Sequence, residues 1–270
     1  MKPLHYFQIL LLSIAVCITF SCSGPEKTRH DSESCKYLTT DQRPLKFKSG
    51  KFVLESDYNE KEGRMTIAEG AVAVPDCQFA KVTTLEAIEL PGGITHIGTE
   101  AFDSCVSLRL VVLPSTVDTI GISSFLNCRS LKSINLENVK YLGMQAFGMC
   151  TSLEAVTIPD GIVELTRGLF SGCTSLSSVT IPESVTKIEN FVFVKCPSLK
   201  HVKLPSRLES IGYAAFAECT SLASIEIPAS CKSIDDMAFI ACNSLAVARV
   251  PKDCTIGEMA FPPTCEIVRY

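Results

Sequence analysis

Phenylalanine returns with a fixed period along most of this chain. It stands at Phe79, Phe102, Phe125, Phe147, Phe170, Phe193, Phe216, Phe239 and Phe261, at intervals of 22 or 23 residues. Three residues after seven of these comes a cysteine: Cys105, Cys128, Cys150, Cys173, Cys196, Cys219 and Cys242. Three further on comes a leucine: Leu108, Leu131, Leu153, Leu176, Leu199, Leu222 and Leu245. Phe79 heads a variant unit, with Val82 and Leu85 in the two places. Aliphatic residues follow the leucine at its third and fifth positions, often with proline next, as in Leu85-Ile88-Leu90-Pro91 and Leu222-Ile225-Ile227-Pro228. A sustained period of this size is the mark of a stacked repeat.

The spacing predicts the shape of one unit. Aliphatics two residues apart share one face of a strand, and the residues between them face away. Proline then ends the strand, because it has no N–H to donate. The pairs Ile97-Gly98, Ile120-Gly121 and Ile211-Gly212 predict a turn in which glycine relieves backbone strain. The stretch before each Phe fits one short helical or 3₁₀ turn, with Ala and Phe packed inward. Such a unit cannot bury its apolar face alone, so the units must stack into a solenoid. At about 4.8 Å per coil, eight or nine coils extend on the order of 40 Å.

The unit Cys-x-Ser-Leu-x-x-Val-x-Ile-Pro, followed by Ile-Gly-x-x-Ala-Phe, resembles the treponemal-type leucine-rich repeat of BspA-like proteins. The resemblance spans residues 66–261 or thereabouts and recurs seven times nearly intact. It implies a leucine-rich-repeat solenoid. The expected fold is a β-rich α/β one, with a parallel sheet of short strands, one per coil, and short helical or 3₁₀ returns. It also implies a surface protein of a host-associated microbe, in a family where some members bind matrix proteins or mediate adhesion. It brings no catalytic or binding motif to transfer.

The ends depart from the repeat. Residues 1–22 hold one lysine, the apolar run ILLLSIAVCITF and a small-residue ending, the outline of a secretory signal. The apolar run is too short to span a bilayer, which takes about 20 residues. Ser21-Cys22 resembles a bacterial lipobox with Cys22 as the lipidated residue, although Thr19 stands where that signal prefers an aliphatic. Cleavage after Ser23 and an uncleaved anchor stay open, and all three fates export the mature chain. Residues 23–34 read as a flexible tether. Residues 35–65 read as an N-terminal cap, with a hairpin tip near Asn59 to Gly63. Residues 66–270 are the solenoid, closed by a C-terminal cap.

The 14 cysteines raise the questions of metal, catalysis and disulfides. One sulfur per coil is poor zinc geometry, and no CxxC pair is present. Seven equivalent positions argue against one special nucleophile. Cysteine is small and readily buried, so the seven read as a structural ladder. Cys231 and Cys254 each lie three residues after a repeat proline and stack on neighbouring coils. Cys231–Cys254 and Cys35–Cys77 are therefore the candidate disulfides.

Composition narrows function by exclusion. The net charge is −4, which disfavours a nucleic-acid surface. Tryptophan is absent, which weakens a sugar-stacking site. Outside the leader and tether only His96 and His201 could serve a triad, and the solenoid sets them more than four coils apart. No phosphate loop, GxGxxG or HExxH motif occurs. The chain reads as a non-enzyme without cofactor or metal.

What can bind is the outward strand face. Its candidate residues are Leu110, Val112, Asn135, Thr157, Thr180, His201, Lys203, Glu226 and Arg249. A broad, shallow, mixed strip suits a protein or glycan better than a small molecule. The expected function is a lipid-anchored protein of the bacterial outer membrane or cell surface. It would present this face to a host matrix protein or another cell. A glycan-binding accessory lipoprotein and a structural envelope scaffold are the alternatives. No oligomeric state is legible.

Overall fold

The computed structural model describes residues 57–59, 64–66 and 70–270. The leader with Cys22, the tether and Cys35 lie outside the described residues, as does most of the cap.

Short strands are numbered here in chain order: β1 (Asp57–Asn59), β2 (Arg64–Thr66), β3 (Ala73–Val74), β4 (Ala87–Glu89), β5 (His96–Ile97), β6 (Leu110–Val112), β7 (Thr119–Ile120), β8 (Tyr141–Leu142), β9 (Ala155–Thr157), β10 (Glu164–Leu165), β11 (Ser178–Thr180), β12 (Lys187–Ile188), β13 (Ser210–Ile211), β14 (Ser224–Glu226), β15 (Ser233–Ile234), β16 (Val247–Val250), β17 (Thr255–Ile256) and β18 (Glu266–Arg269). β1 and β2 pair antiparallel with Asn59 opposite Arg64, and β2 then pairs parallel with β4. The remaining pairs are parallel and join equivalent residues of successive coils, such as Val179 with Val156 and Ile211 with Ile188.

The strands form two rows. The first is made from the residues after each leucine and falls into three sheets: β1-β2-β4-β6, β9-β11 and β14-β16-β18. The second holds two-residue strands in sheets β3-β5-β7-β8 and β10-β12-β13-β15-β17. The second row corrects the sequence reading, because Ile97, Ile120 and Ile211 lie in strands and not in turns. The glycines after them serve closeness, not a left-handed backbone. A Cβ on Gly143 would sit 2.5 Å from the Gly121 carbonyl carbon, and one on Gly121 2.7 Å from that of Gly98. Coils touch backbone to backbone there, and only glycine leaves the room.

The first row breaks at Ser133–Asn135 and at His201–Lys203, where no strand forms. The first break has a local cause. Its coil carries Glu137 where other coils have proline, and Asn135 Oδ1 accepts the Glu137 N–H at 3.0 Å. That turn competes with the sheet ladder for the backbone.

The expected helical return is also corrected: the described residues contain no helix. Each return is a run of tight turns with left-handed residues two before and two after the Phe. Glu100 and Ser104 have φ of 54° and 59°, and Gly168 and Gly172 take the same places with 65° and 72°. Left-handed geometry costs a non-glycine residue roughly 1–2 kcal/mol. The alternation it imposes lets every second N–H leave its own coil. Glu100, Phe102 and Ser104 donate to the carbonyls of Ile122, Ser124 and Leu126 at 2.7–2.8 Å. Ala101, Asp103 and Cys105 donate within the coil to Gly98, Glu100 and Phe102. A helix would direct all of these inward and forfeit the bonds between coils.

The core is a set of columns. The nine repeat phenylalanines stack face to face, with centroids 5.0–5.7 Å apart and rings within 23° of parallel. The repeat leucines are buried beside them, as are Ile88, Val111, Val156, Val179 and Ile225 at the third position after each. Burying one such side chain contributes about 1.5–3 kcal/mol. The position before the Phe is apolar in most coils, as in Ala101, Ala146, Leu169, Val192, Ala215, Ala238 and Ala260, but before Phe125 it holds Ser124. Ser124 is fully buried and its hydroxyl has no partner. Replacing Ser124→Ala removes a desolvated hydroxyl at no cost in shape, and should raise unfolding stability by about 1–2 kcal/mol in a urea titration.

Candidate functional site

Alternation along the first row settles which side chains face out. Leu110, Val112, Asn135, Thr157, Thr180, His201, Lys203, Glu226 and Arg249 are all exposed. Between them Val111, Ile134, Val156, Val179, Val202, Ile225 and Ala248 point into the core. The nine therefore lie along one face, although Asn135, His201 and Lys203 sit at its two breaks. Leu110 and Val112 form its apolar end, 46% and 43% exposed.

Charge along the face is partly paired. Arg109 bonds Glu86, and Arg249 lies 3.6 Å from Glu226. Arg249 also sits over the Tyr270 ring at 5.3 Å. Among the described residues, no carboxylate lies within 4 Å of Lys200, His201 or Lys203, which leaves a basic spot at the second break. Nearby, Ser206 donates its hydroxyl and its backbone N–H to Glu183 Oε2, both at 2.7 Å. These bonds, with a smaller pull from Lys203, hold the Glu183 carboxyl below the usual carboxylate range. At the first break the face opens into a groove of about 680 Å³, lined in part by Asn135, Glu137, Thr157, Asp160 and Thr180.

Other sequence candidates do not converge. His96 heads β5 in the second row, whereas His201 lies at the second break of the first row, so they belong to different rows and do not converge. Among the described residues no group of three His, Cys, Asp or Glu is placed to hold a metal, and no helix is long and apolar enough to cross a membrane. Of the residues between repeat Phe and Cys, Val194 is buried and Met149 is 40% exposed.

A half-buried aromatic run escaped the sequence reading. Arg167 stacks on Phe191 at 5.4 Å, Phe191 meets Tyr213 edge to face at 5.3 Å, and the Tyr213 hydroxyl reaches Met237 Sδ at 3.2 Å. This run follows the returns across four coils. Its signal was a departure from the repeat, since Phe191 stands where the neighbouring coils carry Gly168 and Ala214.

The cysteine column has a defined chemistry. Each thiol donates to the backbone carbonyl of the repeat Phe one coil back: Cys105 to Phe79, Cys128 to Phe102, and so on to Cys242 and Phe216. The seven Sγ···O distances are 3.0–3.2 Å, and all seven side chains are fully buried. Burial pushes the thiols of Cys105, Cys150 and Cys196 up to about 12, and those of Cys128, Cys173 and Cys219 well above their ordinary value. A nucleophile needs the opposite, a thiolate favoured by its surroundings.

With the coils and faces established, comparison with known proteins places the chain in a family. A family model described as the BspA type leucine rich repeat region matches residues 58–177 and 163–269 in six copies. The chain belongs to the BspA-type leucine-rich repeat family. A search of curated proteins found no match. Among solved structures, a leucine-rich repeat protein from Bacteroides ovatus is 24% identical with a TM-score of 0.60, over 80% of this chain and 68% of its own. One from Eubacterium ventriosum is 22% identical with a TM-score of 0.55, over 80% and 69%. The T. pallidum leucine rich repeat protein is 22% identical with a TM-score of 0.48, over 71% and 87%. The first two likenesses fix the fold and nothing beyond it.

The buried thiols make stability depend on alkali. From pH about 9 to about 12 the unfolded chain sheds thiol protons that the folded chain keeps. Their contribution is complete below that window and disappears as pH rises through it. Urea midpoints should therefore hold level to pH about 8.5 and then fall, and Cys150→Ala should make the fall shallower. An identical decline in that variant would assign alkaline loss to other groups.

Proposed function

We propose that this chain is a non-enzymatic surface binding protein. It is exported, held to the membrane through lipid on Cys22, and presents its first-row face to a macromolecular partner. That partner is a protein of the host matrix or of another cell. One observation carries the reading. Beneath the face the same residue types recur coil after coil, whereas the exposed positions change from Leu110 and Val112 to Asn135, to Thr157 and Thr180, to His201 and Lys203, and to Glu226 and Arg249. Folding asks little of those positions, so their chemistry is left for recognition. The face is long, open and mixed, which fits a macromolecular surface. Membership of a repeat family built as a scaffold supports the same reading, as does the lack of any converging catalytic set among the described residues.

The test is binding of intact cells displaying the full chain to immobilised matrix proteins, before and after protease shaving. Shaving should remove both the solenoid and the binding. The pair Leu110→Glu with Val112→Glu, and separately Lys203→Glu, should lower binding at least tenfold. Val163→Glu, exposed beside the second row, should leave it unchanged. A solenoid protected until lysis, or binding indifferent to every first-row variant, would contradict the proposal and favour an envelope scaffold.

A further inference from the structure

Eight coils carry an apolar residue at the turn that follows the first row, and the last two differ. The position three residues after the repeat proline holds Ile94, Val117, Ile162, Val185 and Leu208, with Val139 serving the coil that lacks the proline, then Cys231 and Cys254. An aliphatic column thus ends in two stacked thiols. Both side chains are buried, and each residue's N–H closes the same turn, Cys231 onto Pro228 and Cys254 onto Pro251. The strands that follow pair in register, Ser233 with Thr255 and Ile234 with Ile256, and the Thr255 N–H donates to the Lys232 carbonyl at 2.9 Å. Neighbouring coils stand about 4.8 Å apart, inside the Cα range of about 4.4–6.8 Å that a disulfide spans.

These thiols are held differently from the seven of the phenylalanine column. Each column thiol donates to a carbonyl of the coil before it, at 3.0–3.2 Å. The carbonyls Cys231 and Cys254 reach belong to their own coils, Ser233 at 3.4 Å and Thr255 at 3.5 Å, and the two thiols also meet each other across the coils, so bridging would replace that contact and break no thiol-to-carbonyl bond between coils. Cys254 also has a cation at hand: Arg269 Nη1 donates to the Cys254 carbonyl at 2.8 Å and to the Pro251 carbonyl at 2.7 Å. Burial raises the Cys254 thiol, and its contact with Cys231 and the Arg269 charge pull it back part of the way, whereas burial pushes Cys231 up to about 12, which makes Cys254 the readier of the two to attack.

We propose that Cys231 and Cys254 form a disulfide site that staples the last two coils, closed by exchange with a disulfide oxidant. The Cys254 thiolate attacks one sulfur of the oxidant and expels the other as a thiolate, leaving a mixed disulfide on Cys254. Cys231 then loses its proton, and its thiolate attacks the Cys254 sulfur and releases the second half of the oxidant. The two cysteines lose two electrons and two protons, and the oxidant is reduced to two thiols. Neither the step nor its test depends on where the protein resides.

The test treats reduced, folded full-length protein with oxidised glutathione. Free thiols are alkylated in denaturant, and the protein is digested with trypsin without reduction. The expected product joins the peptides 208–232 and 253–269, with fragmentation placing the link on Cys231 and Cys254, while the seven column cysteines are alkylated. Reducing the bridged protein should lower its thermal midpoint. Because valine already serves this position, Cys231→Val and Cys254→Val should fold and lose the link. A link from peptide 208–232 to 233–249 would instead engage Cys242 of the phenylalanine column, through Cys219 or Cys231. That result, a link that persists in Cys231→Val, or full alkylation of both cysteines in oxidised folded protein would each overturn the proposal.

Discussion

The structure rests on backbone-to-backbone stacking of successive coils. Once each coil hydrogen-bonds to the next in register, equivalent residues must sit directly above one another. A side chain that suits one core position must then also suit its own copy one coil away. Phenylalanine meets the condition by stacking, with ring centroids 5.0–5.7 Å apart. Cysteine meets it by a different device. It is small enough for the interior and still donates to the Phe carbonyl of the coil before it. Serine would bring a stronger hydroxyl dipole into the same apolar column, and alanine would leave the carbonyl with one bond fewer. The thiol column is thus a structural bond between coils, in surroundings that suppress its reactivity.

The same stacking divides the molecule into positions the fold dictates and positions it leaves alone. Glycine is dictated after second-row residues such as Ile97, Ile120 and Leu142, because a Cβ there would enter the backbone of the neighbouring coil, whereas Thr166, Glu189 and Asp235 take the same place in other coils. The left-handed residues flanking each Phe are dictated in conformation but not in type: Glu100, Ser123, Gln145 and Phe191 all take the first of these places. The outward residues of the first row are held extended by the ladder where strands form, but their type is left free and their side chains face away from the core. A gradient from apolar Leu110 and Val112 to basic His201 and Lys203 accumulates there at little cost to the core. This separation is what allows a repeat scaffold to carry a recognition surface.

Much of this was legible from the sequence because the core obeys a strict period. The spacing of Phe, Cys, Leu and Pro identified the coil, the inward and outward residues of the first row, and the family. Features that depend on one coil's approach to another were not legible. Ile97-Gly98 looked like a turn because glycine commonly marks one, yet Gly98 is there for contact with the coil before it. The return looked helical because Ala and Phe are spaced for a turn, whereas Glu100 and Ser104 adopt a backbone geometry that their side chains do not announce. The break at Asn135 is local, and its signal, Glu137 in place of proline, was present but carried no weight beside seven regular units. Among candidate binding residues exposure was legible and partners were not, since recognition is not periodic.

The central claim is that the stacked phenylalanine column couples the coils into one cooperative core. Phe170 tests it most directly, because its ring lies 5.7 Å from both Phe147 and Phe193. Equilibrium denaturation of Phe170→Ala, followed by circular dichroism and by hydrogen exchange at coils on both sides, is the measurement. The account predicts a loss of about 3–5 kcal/mol, with exchange rising on both sides of the gap. A loss of about 1 kcal/mol or less, with exchange unchanged beyond the substituted coil, would contradict it.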